Sequence, residues 1–254
     1  PFGGWKRSVV GPTTKAGGPN YLIPLVDWRP TPAVEGRTPT HPDVQVLLDA
    51  AHATAAVPPS DPEGPTAVTA DELASLDRAV ASDEFAWQTE FGVARDVQQL
   101  VAERDILRYL PMPGGVIRLA ESGRVSDLVR VIAAALRSGA TPDVSSAVEL
   151  SAALRAALTT VGLRVTVATD EAFRAAGRAL PATRIRWIAA DRATAAAGVR
   201  AFAEATDGRP DLAIVAHPVT EAGRVEMLPF LREQAVAITA HRFGTPDRLS
   251  NTLI

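Results

Sequence analysis

The chain has 254 residues, 46% apolar and 22% charged, with a formal net charge of −3. That balance is ordinary for a folded chain, allows a sizeable core, and lacks the basic footprint of a nucleic-acid module. With no cysteine, disulfides, thiolate metal sites and a cysteine nucleophile are excluded from this stretch. No uninterrupted apolar run reaches the ~18 residues of a membrane span.

The opening Pro1-Phe2-Gly3-Gly4 has neither a basic nor an apolar leader region, so no secretory signal is expected. Proline is concentrated early: twelve of the 20 lie between Pro1 and Pro65. Each fixes φ and removes a backbone donor, which forbids long helices and central strands there. Residues 1–30 mix Gly and Pro with Phe2, Trp5, Tyr21 and Trp28, a composition for irregular chain packed against another surface. Residues 31–68 read as a Pro-rich linker. One short helix interrupts it, with Val44, Leu47, Leu48 and Ala51 at i, i+3, i+4 and i+7.

Residues 69–113 read as a helical connector. Thr69 and Glu72 have capping-box spacing, Leu73, Leu76 and Val80 share a helical face, and further helices are expected over 83–88 and 93–103. From 114 to 219 the rhythm is strand then helix. Strands are expected over 116–120, 143–147, 164–168, 184–189 and 212–216. Between them lie helices over 126–136 (closed by Gly139), 149–161 (ended by Gly162), 171–178 (capped by Asp170) and 193–205. This alternation signals βαβ units, so the fold class is α/β, a doubly wound parallel sheet of five strands. Residues 220–254 break the rhythm: a turn over 220–223, an alternating strand over 235–241, then an irregular polar tail.

Searched for chemistry, the sequence has no GxGxxG, P-loop, GxSxG or HExxH. The first strand–helix turn of the α/β stretch, 121–126, carries one glycine rather than three, which disfavours a small nucleotide-binding domain. His41, His52, His217 and His241 are not spaced as metal ligands. His41 and His52 read as solvated linker residues and His217 as a strand-end residue. Arg232-Glu233-Gln234, with Glu226, form a charge cluster on an apolar segment. Such a cluster is ordinarily a solvated face; its other reading is a docking surface, as is His241-Arg242-Phe243.

Two stretches carry a resemblance. Pro1-Phe2-Gly3-Gly4-Trp5-Lys6-Arg7-Ser8, followed by Lys15-Ala16-Gly17-Gly18-Pro19-Asn20-Tyr21-Leu22, resembles the C-terminal end of L-glutamate γ-semialdehyde dehydrogenases, in the aldehyde dehydrogenase superfamily. Leu228 to Pro246 resembles the C-terminal motif of longer, bifunctional proline utilization A proteins, which join that dehydrogenase to a flavin-dependent proline dehydrogenase. The α/β stretch is similar to the Rossmann-like, non-catalytic domain that precedes this motif.

The resemblance implies a C-terminal fragment of a cytoplasmic, NAD-dependent oxidoreductase of proline catabolism, oligomeric, with FAD in a bifunctional parent. Phe2, with Gly3 and Gly4, is the implied substrate contact. Arg232, Glu233, Gln234, His241, Arg242 and Phe243 are the implied domain-docking residues. The implied partners are the upstream dehydrogenase domains of the same polypeptide, whose substrate-channelling cavity this part helps to close, with no nucleic acid and no membrane. No catalytic residue, metal or cofactor is expected within this stretch, since the nucleophile and base of the family lie upstream. The alternative is a freestanding, non-catalytic α/β interaction module.

Overall fold

The structure, a computed structural model, describes residues 15–33, 35–57, 66–246 and 248. Phe2, Gly3 and Gly4 lie outside the described residues. In chain order the elements are α1 (Pro42–Ala55), α2 (Ala70–Ala86), β1 (Arg95–Asp96), β2 (Glu103–Pro111), β3 (Gly115–Leu119), α3 (Val125–Arg137), β4 (Asp143–Ser146), α4 (Ala152–Thr160), β5 (Val165–Val167), α5 (Asp170–Ala176), β6 (Arg184–Ile188), α6 (Arg192–Ala205), β7 (Ala213–Val215), α7 (Gly223–Glu226), β8 (Leu231–Thr239), β9 (His241–Arg242) and β10 (Thr245–Pro246).

Strands β3 to β7 form a parallel sheet in the order β5-β4-β3-β6-β7. The order reverses beside β3, the arrangement of a Rossmann-like doubly wound sheet. Alternation along each strand divides the core in two. Ile117 and Leu119 of β3 join Val144 and the buried face of α3, with α1 and α4 packed behind. On the other side Val116, Ile185 and Trp187 meet Phe173 of α5 and Phe202 of α6, whose rings lie 5.4 Å apart. Helix α3 is buried almost all round because α1 and α2 cover the side the sheet leaves open.

The expected capping box is present: Thr69 accepts from the Glu72 N–H and the Glu72 carboxylate accepts from the Thr69 N–H. The separate helix expected over 83–88 is instead the continuation of α2, which runs through to Ala86 and ends in a π-turn over Trp87–Phe91. The helix expected over 93–103 does not form, so the connector is helical only as far as Phe91. Its C-terminal part is β2, paired along its whole length with β8, from Glu103 opposite Thr239 to Pro111 opposite Leu231. That ladder satisfies the backbone better than an isolated helical turn with poor packing could.

Strand β8 begins four residues before its expected start, because Leu231 and Glu233 point into the body. The tail expected to be irregular closes as a hairpin, β9 on β10, through Phe243 and Gly244 at φ 50° and 82°. A two-residue turn with both centres at positive φ matches the twist of its strands. Asp170 is not the cap of α5. Thr169 takes that place, accepting from the Ala172 N–H, and frees Asp170 to pair with buried Arg118 at 2.6 Å.

Gly223 is required by contact. A Cβ there would lie 2.5 Å from the Asp83 nitrogen and 2.5 Å from the Ser82 carbonyl oxygen, both backbone atoms of α2. Neither helix can yield by rotating a side chain. Gly223→Ala is therefore expected to cost about 1–3 kcal/mol or more by overpacking, read as a lowered urea midpoint. An unchanged midpoint would show that α7 can drift from α2 freely.

Candidate functional site

Two polar clusters tie the C-terminal segment to the rest of the chain. The first holds α7 against the sheet. Arg186 sits on central strand β6, where the alternation points it away from the Trp187 core. Its Nε donates to Glu226 Oε1 at 2.6 Å and its Nη2 to Oε2 at 3.1 Å, with both side chains essentially inaccessible. The Thr220 N–H donates to the same carboxylate at 3.1 Å. Burial alone would raise the Glu226 carboxyl, but the Arg186 guanidinium, with His217 and Arg130, overrides it and holds the group down to about 2. His217 is half-buried beside this pair, its Nδ1 2.9 Å from the Pro218 carbonyl oxygen. Burial and Arg186 push its pKa down.

Arg130 of α3 continues the cluster. Its two terminal nitrogens donate to both oxygens of Asp83 at 2.7 and 2.8 Å, and its Nε donates to the Thr220 carbonyl at 2.9 Å. Thr220 therefore bridges both ion pairs through its own backbone, and the turn at 220–223 is locked between α2, α3 and β6.

The second cluster joins β8 to the beginning of the described chain. Glu233 accepts from the Lys15 backbone N–H at 2.6 Å and from Asn20 Nδ2 at 2.7 Å. Asn20 also donates to the Tyr109 hydroxyl at 2.9 Å and accepts from Arg224 at 2.8 Å. Arg224 pairs with Glu90 at 2.9 Å. Burial pushes both the Glu233 carboxyl and the Tyr109 phenol above their ordinary ranges. The segment 15–20 is thus held by three other pieces of the chain, contributing Tyr109, Arg224 and Glu233, with Glu90 bracing Arg224 and Tyr109 from behind.

Of the expected docking residues, only Glu233 enters these clusters. Arg232 and Gln234 project from the opposite face of β8. Gln234 accepts from Arg108 at 2.6 Å. Burial, with the Arg232 charge beside it, lowers the pKa of Arg184 to about 10. His241 and Arg242 are exposed on the hairpin, and Phe243 stands 95% exposed at its tip, with the Arg242 guanidinium 5.7 Å from the ring centre. The sequence reading missed Arg186, Asp83, Arg130, Asn20 and Arg224. One signal was present: Arg184-Ile-Arg-Trp-Ile places two arginines at alternate positions of a strand buried throughout, and buried arginines demand partners.

The start of α3 is where a dinucleotide fold receives a diphosphate. Here Glu72 fills the approach. Its Oε1 accepts from Arg124 Nε at 2.6 Å and Ser126 Oγ at 2.7 Å, placing a carboxylate where like charge opposes an anion. The single glycine of that turn, Gly123, serves packing: a Cβ would lie 2.4 Å from Leu119 Cδ1. Among the described residues no group of His, Asp and Glu could hold a metal ion, and no helix is long and apolar enough to cross a membrane.

No family model and no curated protein matches the sequence, but solved structures do. Proline utilization A from Corynebacterium freiburgense matches with a TM-score of 0.55 and 30% identity, over 96% of this chain and 19% of that one. A Bradyrhizobium japonicum proline utilization A variant matches at 0.46 and 15% identity, over 70% of this chain and 20% of that one. A Bacillus subtilis protein assigned as an aldehyde dehydrogenase matches at 0.45 and 15% identity, over 70% and 42%. The first likeness extends over nearly the whole chain, which spans about a fifth of that relative's length.

Proposed function

This chain is related to proline utilization A, within the aldehyde dehydrogenase superfamily, and from that premise we propose that it is the non-catalytic C-terminal brace of an oxidoreductase of proline catabolism. The parent reaction is the NAD-dependent oxidation of L-glutamate γ-semialdehyde to L-glutamate, in the cytoplasm, by an oligomeric polypeptide. In this reading NAD, and FAD where the parent is bifunctional, are held by upstream domains. Phe2, Gly3 and Gly4 complete the substrate pocket of the upstream domain, and the rest of the chain docks against it and helps close the channelling cavity.

The observation that carries the reading is the Glu233 cluster. It fastens the segment that resembles the end of a dehydrogenase domain, through Lys15 and Asn20, to the terminal motif. A buried carboxylate receiving a backbone N–H and a side-chain amide fixes the register of the two segments. Chemically the brace reading is supported by composition: oxidation of an aldehyde through a thiohemiacetal and a thioester needs a thiolate, and the chain has no cysteine.

The test compares NADH formation from L-glutamate γ-semialdehyde by the purified chain and by the whole polypeptide that contains it. The chain alone is expected to give none and the whole polypeptide to turn over. Turnover by the isolated chain, or its absence from the whole polypeptide, would sink the proposal.

A further inference from the structure

At the carboxyl ends of β6 and β7 the parallel sheet opens into a cleft of about 360 Å³. It lies where the strand order reverses, the place at which open α/β sheets gather ligands, and its size is within the range of small-molecule sites. Its floor and walls are largely apolar, from Leu76, Ile188, Ala189, Ala216 and Val219, and Pro30 and Pro32 cross the opposite side.

The charged groups of the cleft divide sharply. Glu72 is spent on Arg124, Ser126 and Thr69. Glu221 accepts from Ser75, Arg78 and the Ala33 N–H. Asp191 caps α6 through Thr194. Arg130 has all three guanidinium nitrogens engaged by Asp83 and Thr220, and burial with the Arg186 charge disfavours the cationic form of His217. Asp127, in the first turn of α3, lines the same cleft and accepts no hydrogen bond from any described residue. The cleft therefore offers one uncommitted negative group and no uncommitted positive one.

We propose that this cleft binds a small organic cation, a primary or secondary ammonium on a compact apolar body, with Asp127 as its counter-ion. The apolar walls accept the body of the ligand, and the carboxylate gains the charge-assisted bond that the fold leaves unmade. A diphosphate or a free carboxylate finds there only guanidinium groups already engaged by Asp83, Glu226 and Glu72. Burial already pushes the Asp127 carboxyl up to about 6, and a bound ammonium would favour its charged form. The site shares Arg130, His217 and Thr220 with the first polar cluster but not the Asp127 carboxylate, and it does not depend on the parent enzyme's activity.

The test titrates the full chain, at mildly alkaline pH, with cyclopentylamine, cyclopentanol and cyclopentanecarboxylate, following both heat and the side-chain carboxyl NMR signal of Asp127. The amine is expected to bind and shift that signal, and the alcohol and the acid to bind at least about tenfold more weakly. Asp127→Asn, nearly isosteric, is expected to weaken the amine at least about tenfold, while Asp143→Asn, an exposed carboxylate at the start of β4 outside the cleft, leaves it unchanged. Equal affinity for amine and alcohol, retention of amine binding by Asp127→Asn, or no binding of the amine would overturn the assignment.

Discussion

Replacing Glu226 with glutamine is expected to cost about 3 kcal/mol near neutral pH, because it leaves the Arg186 charge buried without its counter-ion. The pH dependence separates this from a packing effect. The Glu226 carboxyl titrates at about 2 in the folded chain, against an ordinary value of 4.5. A group whose folded pKa is depressed adds stability that is fully present above the unfolded value and is lost as pH falls through the folded one. The gap between wild type and Glu226→Gln should therefore be widest above pH 4.5 and close steadily towards pH 2. Urea unfolding across that window measures it. A gap that stays constant would show that glutamine acts through shape alone. Replacing both partners with apolar residues, Arg186→Met with Glu226→Leu, should cost much less than either single change, since no orphaned charge remains.

Arg130→Ala is expected to be comparably severe, about 3–5 kcal/mol. It strips Asp83 of both hydrogen bonds and leaves the Thr220 carbonyl unmet. The pair is nearly inaccessible, at 6% and 1% side-chain exposure, whereas Arg164 and Asp143 make a similar bidentate contact at 83% and 44%. Exposed pairs contribute only ~0–1 kcal/mol, so Arg164→Ala is the internal control. A double-mutant cycle on Arg130 and Asp83 isolates their coupling. Equal effects at the buried and the exposed arginine would overturn the distinction. Because Thr220 bridges both pairs, the effects of Arg130→Ala and Glu226→Gln should also fail to add.

The parallel sheet was legible because its code is local. Each helix of the α/β stretch carries its apolar face at helical spacing, and the strands between them are short segments bounded by turn residues. What escaped was decided at long range. Residues 93–103 carry three valines and a leucine that fit a helix, yet Val97 and Val101 stand 79% and 75% exposed in the loop before β2. Nothing within that window announces a strand partner in the C-terminal motif. The charge cluster at 226 and 232–234 was visible but its burial was not: Glu226 is fully buried and Glu233 nearly so. Burial of a carboxylate depends on where its arginine or amide arrives, and those partners come from β6, the turn at Thr220 and the segment 15–20. Of the docking set, Glu233 faces inward, which follows from the alternation of β8 once its start is known, and the hairpin residues beyond β8 face solvent.

The ladder between β2 and β8 also sets an order of events in folding. Arg108 and Gln234 bond across 126 positions of sequence, and the entire parallel sheet lies between them. As the chain leaves the ribosome, β2 is made early and waits with an open edge until β8 emerges. Closing so long a loop carries a large entropic cost, which becomes small only after the intervening sheet has folded and brought the two ends together. The α/β core is therefore expected to form ahead of the antiparallel ladder, which follows as a late clasp. Until then, the unpaired β2 edge is the surface through which nascent chains can stick to one another.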